Sequence, residues 1–325
     1  GDCYVACMYY DESNEMLYIG GRFGVPDIYL VMHNYIACVD LTYNYVDPTF
    51  TVASINGTVR SITQGHNGSA TELVVGGWFT LPKLYLMAVD HTTGAVNATF
   101  QEVDAVVYIV KNNGTDLYVG GAFTTNNSNL AKQDLSTGTW TWYPINQGVT
   151  GTHTIRAITD IAGSALNGTL IGGQFEEINI GGTKYPRNNL ALMDLSAGTL
   201  STTTLNVTGT GAIVHCITDR YRLGGIFTSV NGETRNNAAR INSNNNTPIH
   251  GQYLYAYNPD VTGTVYAIAD VEEGGGVPRD ARVLIGGDFT QVGTYTRNNI
   301  AMTHIGNLVY NGLRFEPTIN SYTIE

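Results

Sequence analysis

The chain of 325 residues is poor in charge: 13% of its residues are charged, and its formal net charge is −11. Its sixteen lysines and arginines form no basic cluster, which excludes nucleic-acid binding by phosphate neutralisation and membrane attachment through a polybasic patch. No apolar run approaches the roughly 18–20 residues that span a bilayer. A surface with so few charges has to remain soluble through Ser, Thr, Asn and Gly, or through attached sugars.

One short motif recurs six times along the chain and divides it into units. Each copy has two or three apolar residues, then Gly-Gly, any residue and Phe. In chain order the copies are Gly20 and Gly21 with Phe23, Gly76 and Gly77 with Phe79, Gly120 and Gly121 with Phe123, Gly172 and Gly173 with Phe175, Gly224 and Gly225 with Phe227, and Gly286 and Gly287 with Phe289. Successive glycine pairs are 56, 44, 52, 52 and 62 residues apart, a spacing typical of four-stranded β-propeller blades.

Runs around each motif predict three further strands. First-strand runs occupy residues 5–9, 59–63, 106–110, 155–159, 214–218 and 265–269. After the motif, the pattern Asn-x-Ile/Leu-Ala-x-x-Asp predicts a third strand, with examples at residues 35–40, 129–134, 189–194 and 299–304. A fourth run follows, with examples at residues 43–50, 139–144, 253–258 and 308–315. Turn signals such as Ser136-Thr137-Gly138 separate the third run from the fourth.

These runs predict an all-β fold, a six-bladed β-propeller with four antiparallel strands per blade that occupies residues 1–318. The blades are expected at about residues 1–52, 53–101, 102–148, 149–207, 208–260 and 261–318. Residues 319–325 remain as a C-terminal extension strand. We expect it either to fold back along its own domain or to pair with another subunit by β-strand addition.

The motif also has a physical interpretation. A glycine pair lets neighbouring chain approach closely, and the Phe two positions later can turn into the seam between blades. An alanine in each third strand indicates a tight packing point between sheets: Ala37, Ala88, Ala131, Ala191, Ala239 and Ala301.

Two later units carry the repeat at its fullest, GGIFTSVNGETRNNAARIN from Gly224 and GGDFTQVGTYTRNNIAMTH from Gly286. This pattern resembles the kelch and galactose-oxidase-central-domain class of propellers, whose blades carry a Gly-Gly doublet on the second strand. It is also similar to the secreted G-G-x-F-T repeat proteins, which include fungal cell-surface polarity-marker glycoproteins. The resemblance covers nearly the whole chain and implies a propeller fold. It implies little about function, because propellers host many activities.

The aligned first strands contain one column with candidate ligand-binding residues. Its members are Ala6, Arg60, Val107, Arg156, His215 and Tyr266. If these strands line a central channel, Arg60, Arg156 and His215 form a polar mouth that could hold an anion or a sugar. The alternative, which we favour, is that they bond to loop carbonyls and plug the channel.

The four cysteines are too few for a disulfide-built scaffold. Cys7 and Cys216 fall in a column of small residues, so we expect buried free thiols there. Cys3 and Cys38 remain, and a disulfide between them within the first blade is one option.

The sequence outside the repeat does not predict catalysis. The seven histidines are scattered singly, without paired-ligand spacing, and neither C-x-x-C nor G-x-S-x-G occurs. Arg-Asn-Asn runs at residues 187–189, 235–237 and 297–299 recur in three blades, which favours loop capping over a binding surface. We therefore expect no enzyme activity, no metal ion and no cofactor.

Eight Asn-x-Ser/Thr sites indicate a compartment. They are Asn56, Asn67, Asn97, Asn113, Asn126, Asn167, Asn206 and Asn245. They arise either by chance in a chain rich in Asn and Thr, or as N-glycosylation sites in turns and outer strands. Together with the start at Gly1, which suggests a removed signal peptide, they favour a secreted or cell-surface glycoprotein.

The function expected from these observations is that of a structural, adhesive or self-assembling extracellular module. Its partners would be other copies of itself, or extracellular proteins and glycans, with no nucleic acid and no membrane span. The abundance of tyrosine suits interfaces, because Tyr buries an apolar ring and keeps a polar tip. The alternatives are a carbohydrate-binding module that uses the channel mouth or a loop face, and a divergent glycan-active enzyme.

Overall fold

The computed structural model describes residues 3–65, 71–143, 153–163, 166–180, 182–242, 257–271 and 282–304. Within these ranges the chain is almost entirely β-strand and turn, with one turn of 3-10 helix at Thr125–Asn127. No helix in the described ranges is long and apolar enough to cross a membrane. The chain forms two compact units, Gly1–Ile155 with Asn179–Thr183, and Arg156–Ile178 with Lys184–Glu325.

The first unit contains three antiparallel sheets, each with its strands in chain order. Sheet one comprises β1 (Tyr4–Asp11), β2 (Met16–Pro26), β3 (Met32–Asp40) and β4 (Tyr45–Val46). Sheet two comprises β5 (Thr58–Gln64), β6 (Glu72–Trp78) and β7 (Leu86–Asp90). Sheet three comprises β8 (Val107–Asn112), β9 (Asp116–Gly121), β10 (Leu130–Asp134) and β11 (Trp140–Tyr143).

The second unit repeats this arrangement in sheets four to six. Sheet four comprises β12 (Thr154–Ile161), whose first two residues belong to the first unit, β13 (Gly168–Gln174), β16 (Leu190–Asp194) and β17 (Thr199–Leu200). Sheet five comprises β19 (Ile213–Ile217), β20 (Arg222–Ile226) and β23 (Ala238–Arg240). Sheet six comprises β24 (Val261–Val271), β25 (Arg282–Val292), β26 (Tyr295–Thr296) and β27 (Ile300–His304).

The structure confirms an all-β chain and places the first three predicted strands in every sheet. The fourth strand is present in sheets one, three and four, whereas sheet two shows in its place a single bridge between Val89 and Val96. The predicted fourth run of sheet six at 308–315, most of that of sheet five at 253–258, and the extension 319–325 lie outside the described residues. The prediction of four strands per blade is therefore confirmed for three of the sheets within the described ranges.

Short strands that the sequence analysis did not predict form two separate small sheets and extend sheet six. The small sheets are β14 (Glu177–Ile180) with β15 (Thr183–Pro186), and β18 (Val207–Thr208) with β21 (Ser229–Val230) and β22 (Glu233–Thr234), whereas β26 pairs with β25 in sheet six. The signal was present at Asn231-Gly232, where both residues have positive φ, 51° and 84°, as a type I′ hairpin turn requires. These hairpins carry the chain from the Gly-Gly motif to Arg-Asn-Asn.

Hydrophobic side chains pack in the seams between neighbouring sheets of a unit. Sheets one and two share one core, sheets two and three a second, sheets four and five a third, and sheets five and six a fourth. Five motif phenylalanines are buried as predicted: Phe79, Phe123, Phe175, Phe227 and Phe289. Phe23 of sheet one is only partly buried. The first motif glycine is needed at these seams, because a methyl group on Gly224 would lie 2.7 Å from the Val265 side chain of the next sheet.

The predicted alanine column needs one correction. In sheets one and three to six, Ala37, Ala131, Ala191, Ala239 and Ala301 each pair with the residue before the first motif glycine. In sheet two that partner is Met87, and Ala88 lies one position further along the strand. Ala88 is fully buried in the core that sheets two and three share, as expected of a packing point. Alignment by residue type, however, placed it one residue away from the position that the other five alanines hold.

An aspartate at the end of the third strand builds the next turn. The Asp134 carboxylate accepts hydrogen bonds from the backbone N–H groups of Ser136 (2.8 Å) and Thr137 (3.0 Å). Equivalent bonds are made by Asp40, Asp90 and Asp194. The Asp of the third-strand pattern is therefore a turn cap.

Candidate functional site

A β-bulge occurs at one fixed position of the first strand in five of the sheets. The register with the second strand shifts there by one residue, so the bulged residue faces no ladder partner. The bulged residues are Ala6, Arg60, Tyr108, His215 and Tyr266. Arg156 holds the equivalent place in sheet four, because it follows Ile155, which packs on Gly120 as Val107 packs on Gly76.

Bulged residues of consecutive sheets contact each other within each unit. In the first unit the Arg60 guanidinium lies over the Tyr108 ring, 5.4 Å from its centroid, within cation–π range. The Nε atom of Arg60 is buried and bonds to no described residue. In the second unit the rings of His215 and Tyr266 meet edge to face at 5.0 Å. Each pair offers a flat ring beside a hydrogen-bonding side chain, which is chemistry suited to an anion or a sugar.

The structure changes one member of the predicted column. Tyr108, not Val107, is the bulged residue of sheet three, since the register shift lies between Val107 and Ile109. Of the three predicted ligand-binding residues, Arg60 belongs to the first unit, and Arg156 and His215 belong to the second. That these three form one site stays a prediction.

The asparagine side chains of two Arg-Asn-Asn runs, at residues 187–189 and 235–237, form hydrogen bonds with backbone groups of the protein's own loops. The Asn237 Oδ1 accepts a hydrogen bond from the Phe227 N–H (2.8 Å), and its Nδ2 donates to the carbonyl of Val261 at the start of β24 (2.6 Å). Asn189 makes the equivalent pair of bonds, with the Phe175 N–H and the Val207 carbonyl. These asparagines cap loops, joining the motif to the segment that leads to the next sheet.

The arginine before each asparagine pair also bonds to backbone. Arg187 and Arg235 are buried and donate to the carbonyls of Pro186 (2.8 Å) and Thr234 (2.7 Å). Burial lowers the pKa of Arg187 from its usual value. Buried cations that bond to their own loop are placed to hold structure.

All four cysteines are free thiols in the structure. Burial of the thiols raises the pKa of Cys7 and of Cys216 to about 12, so both are inert at neutral pH. The predicted disulfide between Cys3 and Cys38 is not formed. Cys38 lies on β3, separated from β1 by β2, and two strand spacings amount to about 9.6 Å, beyond the roughly 7 Å that a disulfide spans between Cα atoms.

The acceptor asparagines fall into three groups. Asn56, Asn113, Asn126 and Asn167 are exposed, and Asn97 and Asn206 are partly buried. Asn67 and Asn245 lie outside the described residues. Exposure leaves the first four open to a glycan.

The structure also explains why Asn-x-Ser/Thr recurs. The Asn113 Oδ1 accepts bonds from the Thr115 N–H (3.0 Å) and hydroxyl (3.1 Å). In the first sheet Asp11 forms the same turn with Ser13. Likewise Asn97 bonds to Thr99 as Asp47 bonds to Thr49. Turn chemistry alone therefore generates such triplets, and the signal that sequence reasoning missed is the matching Asp-x-Ser/Thr.

Exposed apolar side chains are concentrated in the first sheet. Eleven of the eighteen large hydrophobic residues that are exposed in the described chain lie between Tyr4 and Tyr43. Five of them are consecutive, at the tip of the hairpin between β2 and β3 (residues 28–32, the apolar tip). Sequence reasoning missed this tip, although an unbroken apolar run at a strand connection signals either an error or a function.

A buried acid shapes the apolar tip. The Asp27 carboxylate accepts hydrogen bonds from the N–H groups of Tyr29 (2.7 Å) and Val31 (3.0 Å), and His33 Nε2 lies 3.2 Å from it. The side chains of Asp27 and His33 are both 2% exposed. Burial acts to raise the pKa of Asp27, but the bonds from Val31, His33 and Tyr29 outweigh it and hold the pKa below its usual value.

Metal ligation has no support in the described residues, which contain no group of three or more His, Cys, Asp or Glu side chains suited to a metal ion.

Comparison with known proteins supports a β-propeller fold. The family model "Domain of unknown function (DUF5122) beta-propeller" matches residues 223–245, which include the motif and the third strand of sheet five. No curated protein sequence matches the chain significantly. The short family match and the sheet that recurs six times along the chain both indicate a β-propeller. Neither of them determines the number of blades.

Several solved structures are similar to the chain. The WD40 repeats of RRP9 share 9% identity, with 94% of this chain and 78% of that chain covered and a TM-score of 0.47. U3-55K shares 8% identity, with 93% and 95% covered and a TM-score of 0.43. The computationally designed Ika8 protein shares 10% identity, with 92% and 80% covered and a TM-score of 0.43. With TM-scores below 0.5, these likenesses do not define how the six sheets are arranged.

Proposed function

We propose that the chain is a secreted, N-glycosylated, six-bladed β-propeller that acts without catalysis as a self-assembling structural module. The observation that carries this proposal is the run of five exposed apolar side chains at the apolar tip, residues 28–32. Contiguous apolar surface of this kind marks an interaction site in a soluble protein. The repeated polar residues, in contrast, bond to the protein's own loops.

Two further observations support closure into six blades. The first glycine of five motif copies is tightly covered: a methyl group added to it would lie closer than 3.0 Å to a Val or Ile of another strand. A methyl group added to Gly286 would instead have only a backbone oxygen near it, at 4.0 Å. Val5 is 51% exposed, whereas its equivalents Val59, Val107, Ile155, Val214 and Val265 are buried. A six-bladed ring would cover both surfaces in the way that the other five seams are covered.

Two measurements test the proposal. Intact mass of the secreted protein, before and after enzymatic removal of N-glycans, should fall by several glycan masses. Negative-stain imaging of the same protein should reveal ordered assemblies. An unchanged mass would refute the glycoprotein, and particles that contain a single copy of the chain at every concentration would refute the self-assembling module.

The second candidate function is carbohydrate binding at the bulged residues, favoured by the contacts Arg60–Tyr108 and His215–Tyr266. A glycan array with the wild-type protein and with Tyr108→Ala and Tyr266→Ala tests it. Binding that both variants lose supports this function. Absence of binding by the wild-type protein refutes it.

A further inference from the structure

The apolar tip is held in one conformation. Besides the bonds that Asp27 accepts, its backbone N–H donates to the Val31 carbonyl (2.9 Å), and the Leu30 N–H donates to the Asp27 carbonyl (3.1 Å). A loop fixed by four such bonds and a buried His33 loses little conformational freedom on binding. Preorganisation of this kind raises affinity.

The tip presents its side chains to solvent at a cost to the fold. Ile28, Tyr29, Leu30, Val31 and Met32 are 55%, 71%, 82%, 54% and 53% exposed. Leu30 also has a φ of +63°, a conformation that favours Gly or Asn and disfavours a Leu side chain. Neither burial nor backbone preference accounts for Leu at this position. A residue that opposes local preference and points into water indicates a function.

The surroundings of the tip decide among its possible occupants. Arg22 is the only lysine or arginine among residues 1–59, so the tip lacks the basic flanks that attract an anionic bilayer. Residues 1–55 also contain no Asn-x-Ser/Thr site, whereas eight follow between residues 56 and 247. The first sheet therefore stays open to a protein even if every acceptor site carries a glycan.

The available area matches that of a dimer interface. The tip continues into a surface with further exposed rings, because Tyr43 is 71% exposed and its ring stacks on Tyr45 at 6.1 Å. Burial, then the charges of Asp40 and Asp47 and the hydroxyls of Tyr43 and Tyr29, raise the pKa of Tyr45. Large side chains of this number expose several hundred Å², on the order of the 800 Å² that one partner contributes to a standard interface.

We propose that the apolar tip is the self-association surface of the protein, where it packs against the first sheet of a second copy. This inference rests on the self-assembling function proposed above. An apolar patch is complementary to itself, and two copies related by a two-fold axis bury the same patch on both sides. Tyr and Met are enriched in such interfaces, and lysine is depleted.

Sedimentation velocity of the full chain across micromolar concentrations tests the proposal. We expect a reversible dimer that strengthens at high salt, because screening relieves the repulsion between acidic chains. Leu30→Asn suits the left-handed backbone, so it should leave the melting temperature unchanged or raised while it increases the dissociation constant at least about tenfold. The matched control Leu84→Asn, at an exposed leucine of sheet two, should leave association unchanged.

Other outcomes separate this inference from the proposed function. If Leu30→Asn associates as strongly as the wild-type protein, the apolar tip is not the association surface, but the proposed self-assembly is unaffected. A wild-type protein that stays monomeric refutes both. Flotation with phosphatidylcholine vesicles tests a bilayer as the alternative partner. If the wild-type protein floats with the vesicles and Leu30→Asn does not, the tip binds a bilayer and the proposal is overturned.

Discussion

Asn237 joins three segments of the chain through one side chain. It bonds to the motif at Phe227 and to the incoming strand at Val261, and its own φ is +63°. The amide is the one side chain that both accepts and donates here and tolerates the left-handed conformation. This combination explains why Asn recurs before the third strand.

Substitution of Asn237 separates these contributions. Asn237→Ala loses two hydrogen bonds and replaces Asn, which tolerates a positive φ, with a residue that tolerates it less well, so it should destabilise the protein by about 2–4 kcal/mol. Asn237→Gly keeps the backbone conformation and should cost about 1 kcal/mol less. Urea denaturation measures both. Equal losses for the two variants would show that backbone conformation contributes nothing at this position.

Asn113 distinguishes turn chemistry from glycosylation. Asn113→Asp keeps the acceptor of the turn that Asp11 uses in the first sheet, but it removes the glycan acceptor. We expect the secreted protein to lose one glycan mass with stability changed by less than about 0.5 kcal/mol. Asn113→Ala should lose the same mass and in addition about 1–2 kcal/mol. An unchanged mass would mean that Asn113 serves the turn alone.

At the scale of elements, one charged pair links two sheets of the second unit. Arg222 on β20 is fully buried and is bonded to Asp270 on β24, with its guanidinium 5.6 Å from the Tyr257 ring centroid. The residues that hold this position in the other sheets are apolar, among them Tyr18, Val74 and Leu170. The ion pair therefore replaces a hydrophobic contact.

A double-mutant cycle tests this replacement. Arg222→Met alone should cost about 3 kcal/mol, because it leaves the Asp270 carboxylate partly buried without its cation. The double variant Arg222→Met with Asp270→Leu should recover most of that loss, since the equivalent positions are apolar. Thermal unfolding of these two variants and of Asp270→Leu alone measures the coupling. Additive losses would contradict it.

The turns between third and fourth strands predict acid sensitivity. The hydroxyl of Ser136 and the N–H groups of Thr137 and Ser136 lower the pKa of Asp134. For Asp90, burial acts to raise the pKa, but the bonds from Thr93 and Thr92 outweigh it and lower it. A depressed folded pKa contributes stability above the unfolded value of about 3.9, and that stability disappears as pH falls through the folded value.

Stability should therefore decline as the pH falls below about 4. Thermal unfolding between neutral pH and about pH 2 measures this decline. Asp134→Asn removes one titrating group, so the variant should lose less stability than the wild-type protein over that interval. An identical decline in both proteins would exclude Asp134 as a contributor.

The strands could be predicted from the sequence because each motif copy combines a β-rich run with a glycine pair. The glycines mark the places where two sheets pack closely against each other. The registers could not be predicted, since one bulged residue leaves no trace in spacing. That is why Val107 was aligned in place of Tyr108. Of the candidate site, Arg60 and His215 were identified by position, whereas their ring partners depend on contacts between sheets.

The apolar tip was beyond the sequence analysis for a similar reason. Its conformation depends on the buried pair of Asp27 and His33, which lie six residues apart and meet only when the hairpin has formed. An Asx-turn at Asp27 was a readable signal. The burial of its carboxylate was not, because it depends on how the hairpin folds.

At the scale of the whole molecule, a propeller is stable only when each sheet covers its neighbour. Within the two units, four shared cores supply this cover, and a closed ring would need further seams of the same kind. Without them, Val5 of the first sheet and the face around Gly286 of the last would leave apolar surface in water. Closure into the proposed ring would account for the exposed residues of β1, whereas the apolar tip requires a separate explanation.

Alanine substitution at two glycines tests closure. Gly224→Ala should cost about 1–3 kcal/mol, because the new methyl group meets Val265 and the Cys216 thiol at 2.7 Å. In a closed six-bladed ring a valine covers Gly286 in the same way, so Gly286→Ala should cost about as much. Urea denaturation of both variants gives the comparison. If Gly286→Ala is neutral or stabilising while Gly224→Ala is costly, the last sheet has an open face, and the six sheets do not close on themselves.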